Sequence, residues 1–277
     1  MKLVMLTCDQ PWQRAFAARL GRAHDLELIV VDEHFSTAAR ANRVAALLSH
    51  PLELVQRVAE KLAIGSLDAR DEEIYARYFR RIGAPSFEVS SARVRRTLQI
   101  NTPEIRALID GCAADAIVVS GTRLLRSPIL ESRSRFGMIN MHTGLSPYYR
   151  GGPCTFWTLF NEEPEYAGVT IHYITAGIDS GDIILTARPQ LEAAQGVAAL
   201  DSAVIDSGHQ LMLRALQLVE VGKAPRVPQW ERGKLFLSKQ YTVETRLDLE
   251  IRLARGLMSH CIRRLQENPP SIRLVEA

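Results

Sequence analysis

Short apolar runs alternate with helical segments at the start of the chain. The runs LVML and LELIVV predict strands over residues 2–7 and 26–31, and periodic apolar positions between them predict a helix over residues 12–22. A strand, a helix and a second strand in this order favour a parallel sheet with a right-handed crossover. The pattern therefore predicts an α/β fold with a mostly parallel sheet flanked by helices.

Helical spacing replaces the strand pattern over residues 36–82. We expect two or three helices there, with a boundary at Pro51, which makes a helical insertion larger than a simple crossover needs. The run FEVSS predicts a strand over residues 87–91. Thr102 followed by Pro103 is typical of a cap and a first helical position, so a helix is expected to begin here.

The apolar run DAIVVSG predicts a buried strand over residues 115–121, and a shorter strand is expected over residues 137–140. The irregular segment MHTGLSPYYRGGP follows it. In open parallel sheets, loops that follow strands are where sites are commonly placed. Further along, a helix is expected over residues 154–160, strands over residues 168–173 and 182–186, and helices over residues 195–221 and 242–266. We take residues 1–190 as a catalytic domain and residues 191–277 as a mainly helical C-terminal extension.

Composition adds few constraints. The chain is 47% hydrophobic and 23% charged, so it can bury a core of normal size. Its net charge of +3 gives no indication of nucleic-acid binding. The group Arg93, Arg95 and Arg96 is interpreted as a solvated helix face. The four cysteines have no metal-ligand spacing, and no apolar segment approaches the ~20 residues that span a bilayer. We expect a cytoplasmic protein with no membrane and no nucleic-acid partner.

Three groups of residues carry candidate chemistry. Asn140 and His142 lie two apart at a strand end, so both side chains can face one reacting atom. An amide can stabilise charge on a carbonyl oxygen, and an imidazole can move protons. Asp179, within GIDSG, could orient an imidazole, and the loop Tyr148–Gly152 could approach a ligand. The alternatives are a polar strand end, a capped turn and a surface turn.

Together these groups resemble the folate-dependent formyltransferase family, over residues 140–184 above all. The family pattern is Asn-x-His, a loop with Pro and Arg-Gly, an aromatic helix with Asn, Gly-Val-Thr-x-His and Asp-x-Gly. The positions that match are Asn140, His142, Pro147, Arg150, Gly151, Trp157, Asn161, Gly168, Val169, Thr170, His172, Asp179 and Gly181.

The resemblance implies a formyltransferase fold, 10-formyltetrahydrofolate as the formyl donor, no metal, and a small-molecule amine as the acceptor. It implies Asn140, His142 and Asp179 as catalytic residues, and we expect a structural role for His172. The residues expected to bind the folate are Val119, Gly121, Thr122, Leu124, Ile139, Ile174, Gly177 and Asp179. The residues expected to face the acceptor are Asp9, Gln10, Tyr148, Tyr149, Arg150 and Gly151.

Two departures from the family bear on the acceptor. Glycinamide ribonucleotide transformylases resemble one another in a glycine-rich phosphate loop after the first strand, whereas residues 7–11 here are TCDQP. The C-terminal part looks helical, unlike the barrel of methionyl-tRNA formyltransferases. An amino-sugar nucleotide or an amino-acid-like metabolite is therefore the expected acceptor. Glycinamide ribonucleotide formyl transfer, formyltetrahydrofolate hydrolysis and a non-catalytic binding module remain alternatives, and a homodimer is one expected assembly.

A third departure, Gly144-Leu145-Ser146-Pro147 in place of Ser-Leu-Leu-Pro, is not expected to affect the chemistry.

Overall fold

The computed structural model describes residues 1–35, 51–80, 86–87, 91–192 and 196–276. The chain divides into two compact units, Met1–Arg135 and Phe136–Ala277. The domain boundary predicted between residues 190 and 191 lies inside the second unit. The division into a catalytic domain and a C-terminal extension stays a prediction. None of the helices in the described ranges is long and apolar enough to cross a membrane.

The first unit is built on a parallel sheet. Its strands are β1 (Lys2–Thr7), β2 (Asp25–Asp32), β3 (Arg93–Thr97) and β4 (Ala116–Ser120). The strand β1 pairs in parallel with β2 and with β4, and β3 pairs in parallel with β2, which gives the order β3-β2-β1-β4. The strands β1 and β4 are almost fully buried because their side chains are apolar on both faces, as parallel sheets require.

Helices of the first unit follow the predicted pattern closely. Thr102 caps one of them by accepting a hydrogen bond from the Ile105 N–H, and Pro103 is its first residue. Trp12 packs its ring against Tyr75 with 4.7 Å between centroids. The helices are α1 (Pro11–Ala23), α2 (Pro51–Arg80) and α3 (Pro103–Gly111). Within the segment expected to hold two or three helices, one helix covers residues 51–80 and begins at Pro51. Residues 36–50 and 81–82 lie outside the described residues, and the helical insertion stays a prediction.

Two predictions in this unit were wrong. In the strand predicted over residues 87–91, Phe87 lies in a short helical turn and Ser91 lies in a bend, so neither of them belongs to a strand. Residues 88–90 lie outside the described ranges. The strand in this part of the chain is β3. The residues Arg93, Arg95 and Arg96, which were interpreted as a helix face, lie on it. Among the described residues of this unit β3 pairs with β2 alone, and an outer strand tolerates charged side chains on both faces. It therefore lacks the apolar alternation that identifies a strand in a sequence.

The second unit carries antiparallel strands. The strand β5 (Met138–His142) pairs with β7 (Val169–Tyr173), which pairs with β8 (Ile183–Ala187). A separate parallel pair joins β6 (Tyr149–Gly151) to β9 (Lys234–Phe236), and neither of these strands was predicted. Both are three residues long, too short for a periodic signal.

The helices of the second unit are α4 (Cys154–Phe160), α5 (Val197–Glu220), α6 (Val243–Ala254) and α7 (Leu257–Glu267). The single helix expected over residues 242–266 is two helices, because Gly256 adopts φ +91, a left-handed conformation that ends the first. The C-terminal helices and the parallel sheet of the first unit confirm the predicted α/β class.

Candidate active site

The second unit brings Asn140, His142 and Asp179 together. Asn140 and His142 lie on β5 two residues apart, and the Asp179 loop follows β7, which pairs with β5. Asp179 Oδ1 lies 3.4 Å from Asn140 Nδ2, and its Oδ2 lies 3.6 Å from His142 Nδ1. One carboxylate thus contacts both the amide and the imidazole.

His172 is a fourth member of the cluster. Its Nδ1 lies 2.8 Å from the Tyr173 carbonyl oxygen, to which it must donate, so in the neutral ring Nε2 is an acceptor. Asn140 Nδ2 donates to that Nε2 at 3.0 Å. A 180° flip of the Asn140 amide would instead place its oxygen next to two hydrogen-bond acceptors, His172 Nε2 and the Asp179 carboxylate. His172, 2% exposed, therefore fixes the direction in which the amide N–H groups point.

The Asp179 loop is a tight turn held from two sides. Asp179 has φ +44, which is uncommon for a residue with a side chain. A Cβ at Gly181 would lie 1.8 Å from the Tyr173 carbonyl oxygen, so only glycine fits. Gln229 Nε2 donates to the carbonyl oxygens of Asp179 at 2.7 Å and Gly181 at 3.0 Å. Gln229 was not among the predicted residues, because an isolated glutamine in a polar segment gives no signal.

The strand β6 contacts the side chains of His142 and Asp179 through its backbone. The Gly151 N–H donates to Asp179 Oδ2 at 3.0 Å, and the Tyr149 carbonyl accepts from His142 Nε2 at 3.1 Å. Gly151 has φ +81, and a Cβ there would lie 2.0 Å from the Phe236 carbonyl oxygen. The segment expected to be a loop is thus held as a strand against β9.

Tyr149 anchors this strand from within the core. Its side chain is 1% exposed, its hydroxyl donates to Glu163, and that hydroxyl accepts from Asn161 Nδ2 at 2.9 Å. Lys234 pairs with the same Glu163, and the Tyr149 ring stacks on Phe236 with 5.6 Å between centroids. A side chain enclosed in this way positions the strand.

Tyr148 and Arg150, the two neighbours of Tyr149 in the chain, are only half-buried. The Tyr148 hydroxyl accepts from the Arg273 N–H at 3.1 Å and donates to the Arg273 carbonyl at 3.3 Å, which ties it to the C-terminal segment. Arg150 is half-buried, and its Nε is buried without a hydrogen-bond partner among the described residues.

Gly144 gives the His142 ring its space. A Cβ at this position would lie 2.3 Å from His142 Nε2 and 2.8 Å from Cys154 Sγ. The loop departure at Gly144 was not expected to touch the chemistry. The structure corrects this, because a side chain here would displace the imidazole.

The charges at the site are set by burial and by neighbours. Burial lowers the pKa of His142 and outweighs the Asp179 carboxylate, which acts to raise it, so the imidazole is neutral at pH 7. Burial alone would raise the pKa of Asp179, but His142, His172 and the Gly151 N–H outweigh it and hold that pKa below the usual value. The resting site thus holds an ionised carboxylate beside a neutral imidazole.

The predicted folate residues lie in both units. In the first, Val119 is buried on β4, Thr122 is half-buried, and Leu124 is 48% exposed. Gly121 has φ +75, and a Cβ there would lie 2.7 Å from Gln13 Nε2. In the second unit Ile139 is fully buried, Gly177 is exposed, and the half-buried Ile174 donates its N–H to Met138 at 2.9 Å.

The first-strand loop holds the remaining predicted acceptor residues. Asp9 pairs with Arg14 at 2.6 Å and with Arg96 at 2.8 Å. Gln10 occupies the cap position of α1, and its carbonyl accepts from the N–H groups of Gln13 and Arg14. The start of α1 therefore carries a carboxylate beside it. No group of three or more potential metal ligands occurs in the described ranges.

Known proteins resemble the chain in both sequence and fold. Methionyl-tRNA formyltransferase of Desulforamulus reducens is 35% identical over 113 residues, which are 41% of this chain and 35% of the relative. A 4-N formyltransferase from Francisella tularensis matches with a TM-score of 0.56 at 16% identity, over 87% of this chain and 77% of the other. Glycinamide ribonucleotide transformylase 1 from Symbiobacterium toebii matches with a TM-score of 0.52 at 18% identity, over 82% and 94%.

At these identities the solved structures share the fold with this chain. The chain spans less than half the length of the curated relatives it matches. A family model described as formyl transferase matches residues 44–216, which is more than half of the chain. The chain therefore belongs to the formyl transferase family.

Proposed function

We propose that the chain transfers a formyl group from 10-formyltetrahydrofolate to the amino group of a small molecule. The observation that carries the proposal is the Asp179 carboxylate, which contacts the amide of Asn140 and the imidazole of His142 at once. Family membership supplies the reaction class, and this cluster supplies groups with the chemistry that acyl transfer needs.

In the proposed reaction the free amine attacks the formyl carbon. The carbonyl oxygen becomes an anion, and the bond between the formyl carbon and the donor nitrogen then breaks. Asn140 donates one N–H to His172 at 3.0 Å, whereas its contact with Asp179 at 3.4 Å is long for a hydrogen bond. The second N–H is therefore the one available to the oxyanion. One donor of this kind contributes about 3–4 kcal/mol in the transition state.

The amine must also lose a proton as it attacks, and the leaving nitrogen must gain one. His142 faces an acceptor on each side, with the Tyr149 carbonyl at Nε2 and Asp179 at Nδ1. Both N–H groups of an imidazolium would therefore be satisfied, although burial keeps the resting ring neutral. In our proposal the His142–Asp179 pair takes the amine proton and returns it to the donor nitrogen. Such proton transfer contributes on the order of 10²–10⁴ in rate.

The loop after β1 favours a small acceptor other than glycinamide ribonucleotide. A phosphate at the start of α1 would meet the Asp9 carboxylate, and Pro11 removes one backbone donor. Asp9 is already paired with two arginines, which holds it in place. We therefore propose an amino-sugar nucleotide or an amino-acid-like amine. Methionyl-tRNA, the substrate in the name of the relatives, is the comparison acceptor in the test.

The proposal is tested by incubating the chain with 10-formyltetrahydrofolate alone and then with a panel of amines. We expect formylated amine, seen by mass as the gain of one formyl group, and negligible formate release without an amine. Formate release at the same rate without any amine would identify a hydrolase. Efficient formylation of glycinamide ribonucleotide or methionyl-tRNA, with no small amine accepted, would contradict the proposed acceptor class.

A further inference from the structure

Arg150 lies between the two backbone contacts that reach the catalytic side chains. The residue before it accepts from His142 through its carbonyl, and the residue after it donates its N–H to Asp179. The Arg150 backbone therefore cannot move without disturbing the catalytic pair.

This arginine has no protein partner for its charge within the described ranges. Its Nε is buried without a hydrogen-bond acceptor. By contrast, Arg252 pairs with Glu162 at 2.6 Å and Arg264 pairs with Glu165 at 3.1 Å in the same unit. A buried donor that the fold leaves without an acceptor is unfavourable, and an anionic ligand would supply the acceptor.

We propose that Arg150 binds a carboxylate or phosphate group of the acceptor, so that the substrate is an anionic amine. This inference rests on the formyl transfer proposed above and specifies its substrate class. A guanidinium binds either anion through two parallel hydrogen bonds, which fixes orientation as well as affinity. An anion held at Arg150 would keep the rest of the acceptor close to His142, where the amine has to lose its proton.

The donor also carries carboxylates, on the glutamate of the folate, and the same guanidinium chemistry would bind them. Kinetics distinguish the two sources. If Arg150 binds the acceptor, its loss raises the KM for the acceptor. If it binds the donor, its loss raises the KM for the folate donor, and that outcome overturns the proposal.

The experiment uses matched pairs of amines that differ by one anionic group, glycine with glycinamide and glucosamine 6-phosphate with glucosamine. Formylation is measured for the unaltered chain, Arg150→Gln, Arg150→Lys and the control Arg214→Gln, an exposed arginine on α5. We expect at least a ~10-fold preference in kcat/KM for the anionic member of one pair. Arg150→Gln should abolish this preference through acceptor KM, Arg150→Lys should retain part of it, and the control should keep all of it.

Equal rates within both pairs would overturn the proposal while leaving formyl transfer intact. If no amine is formylated, the proposed function fails, and calorimetric binding of the two anionic amines then decides the question independently. Binding to the unaltered chain that is lost in Arg150→Gln supports the site, and no binding to the unaltered chain overturns it. Thermal melting of each variant separates lost binding from lost folding.

Discussion

Replacing Gly151 by alanine should damage stability and catalysis together. At φ +81 a side chain costs about 1–2 kcal/mol. The new Cβ would also lie 2.0 Å from the Phe236 carbonyl oxygen, so β6 and β9 must separate. Separation weakens the Gly152 N–H bond to Phe236 and the Gly151 N–H bond to Asp179, at roughly 0.5–1.5 kcal/mol each. Together these effects predict a loss of roughly 2–5 kcal/mol in the free energy of unfolding.

The adjacent Gly152 provides the matched control. An added Cβ there meets no atom within 4 Å, so Gly152→Ala should leave stability nearly unchanged. The assays are urea unfolding and the kcat for formyl transfer, and Gly151→Ala should lower kcat on the order of 10²-fold, because Asp179 loses a backbone donor that orients it. Equal behaviour of the two variants in both assays would refute the argument that β6 positions the carboxylate.

Three further predictions concern the catalytic cluster itself. Asp179→Asn should lower kcat by about 10²–10⁴-fold with little change in the urea midpoint, and a kcat within twofold of the unaltered chain would count against the proton-transfer role. Because catalysis needs neutral His142 and its pKa is lowered, kcat/KM should begin to fall only below the ordinary histidine pKa of about 6.5, and a fall already complete at that pH would contradict this. Gln229→Ala should lower kcat roughly tenfold at unchanged donor KM by releasing the Asp179 loop, whereas Gln210→Ala, exposed on α5, should not.

Apolar periodicity in the sequence identifies the elements that bury a full face. The strands β1, β2 and β4 and the helices α1, α3, α4 and α5 lie close to their predicted ranges. The outer strand β3 was missed because charged residues occupy both faces. The strands β6 and β9 were missed because their pairing depends on residues far apart in the chain, which no local pattern reports.

The candidate catalytic residues could be proposed from the sequence because their types and spacing form a motif, and the fold places Asn140, His142 and Asp179 in contact. The residues that position them could not be predicted in the same way. Gln229 acts through two backbone carbonyls, and Phe236 blocks a Cβ at Gly151 through its own carbonyl. Contacts of this kind depend on which residues the fold brings together. Neither Gln229 nor Phe236 belongs to a local sequence motif that would identify it.

Transfer of a labelled formyl group tests the central claim most directly. The donor is 10-formyltetrahydrofolate with ¹³C in the formyl carbon, and the chain and its His142→Ala and Asn140→Ala variants are each incubated with the amine panel. The account predicts the label in a formylated amine with the unaltered chain, and at least a ~10²-fold slower appearance with either variant. Label found only in formate, or label transferred at the same rate by His142→Ala, would contradict it.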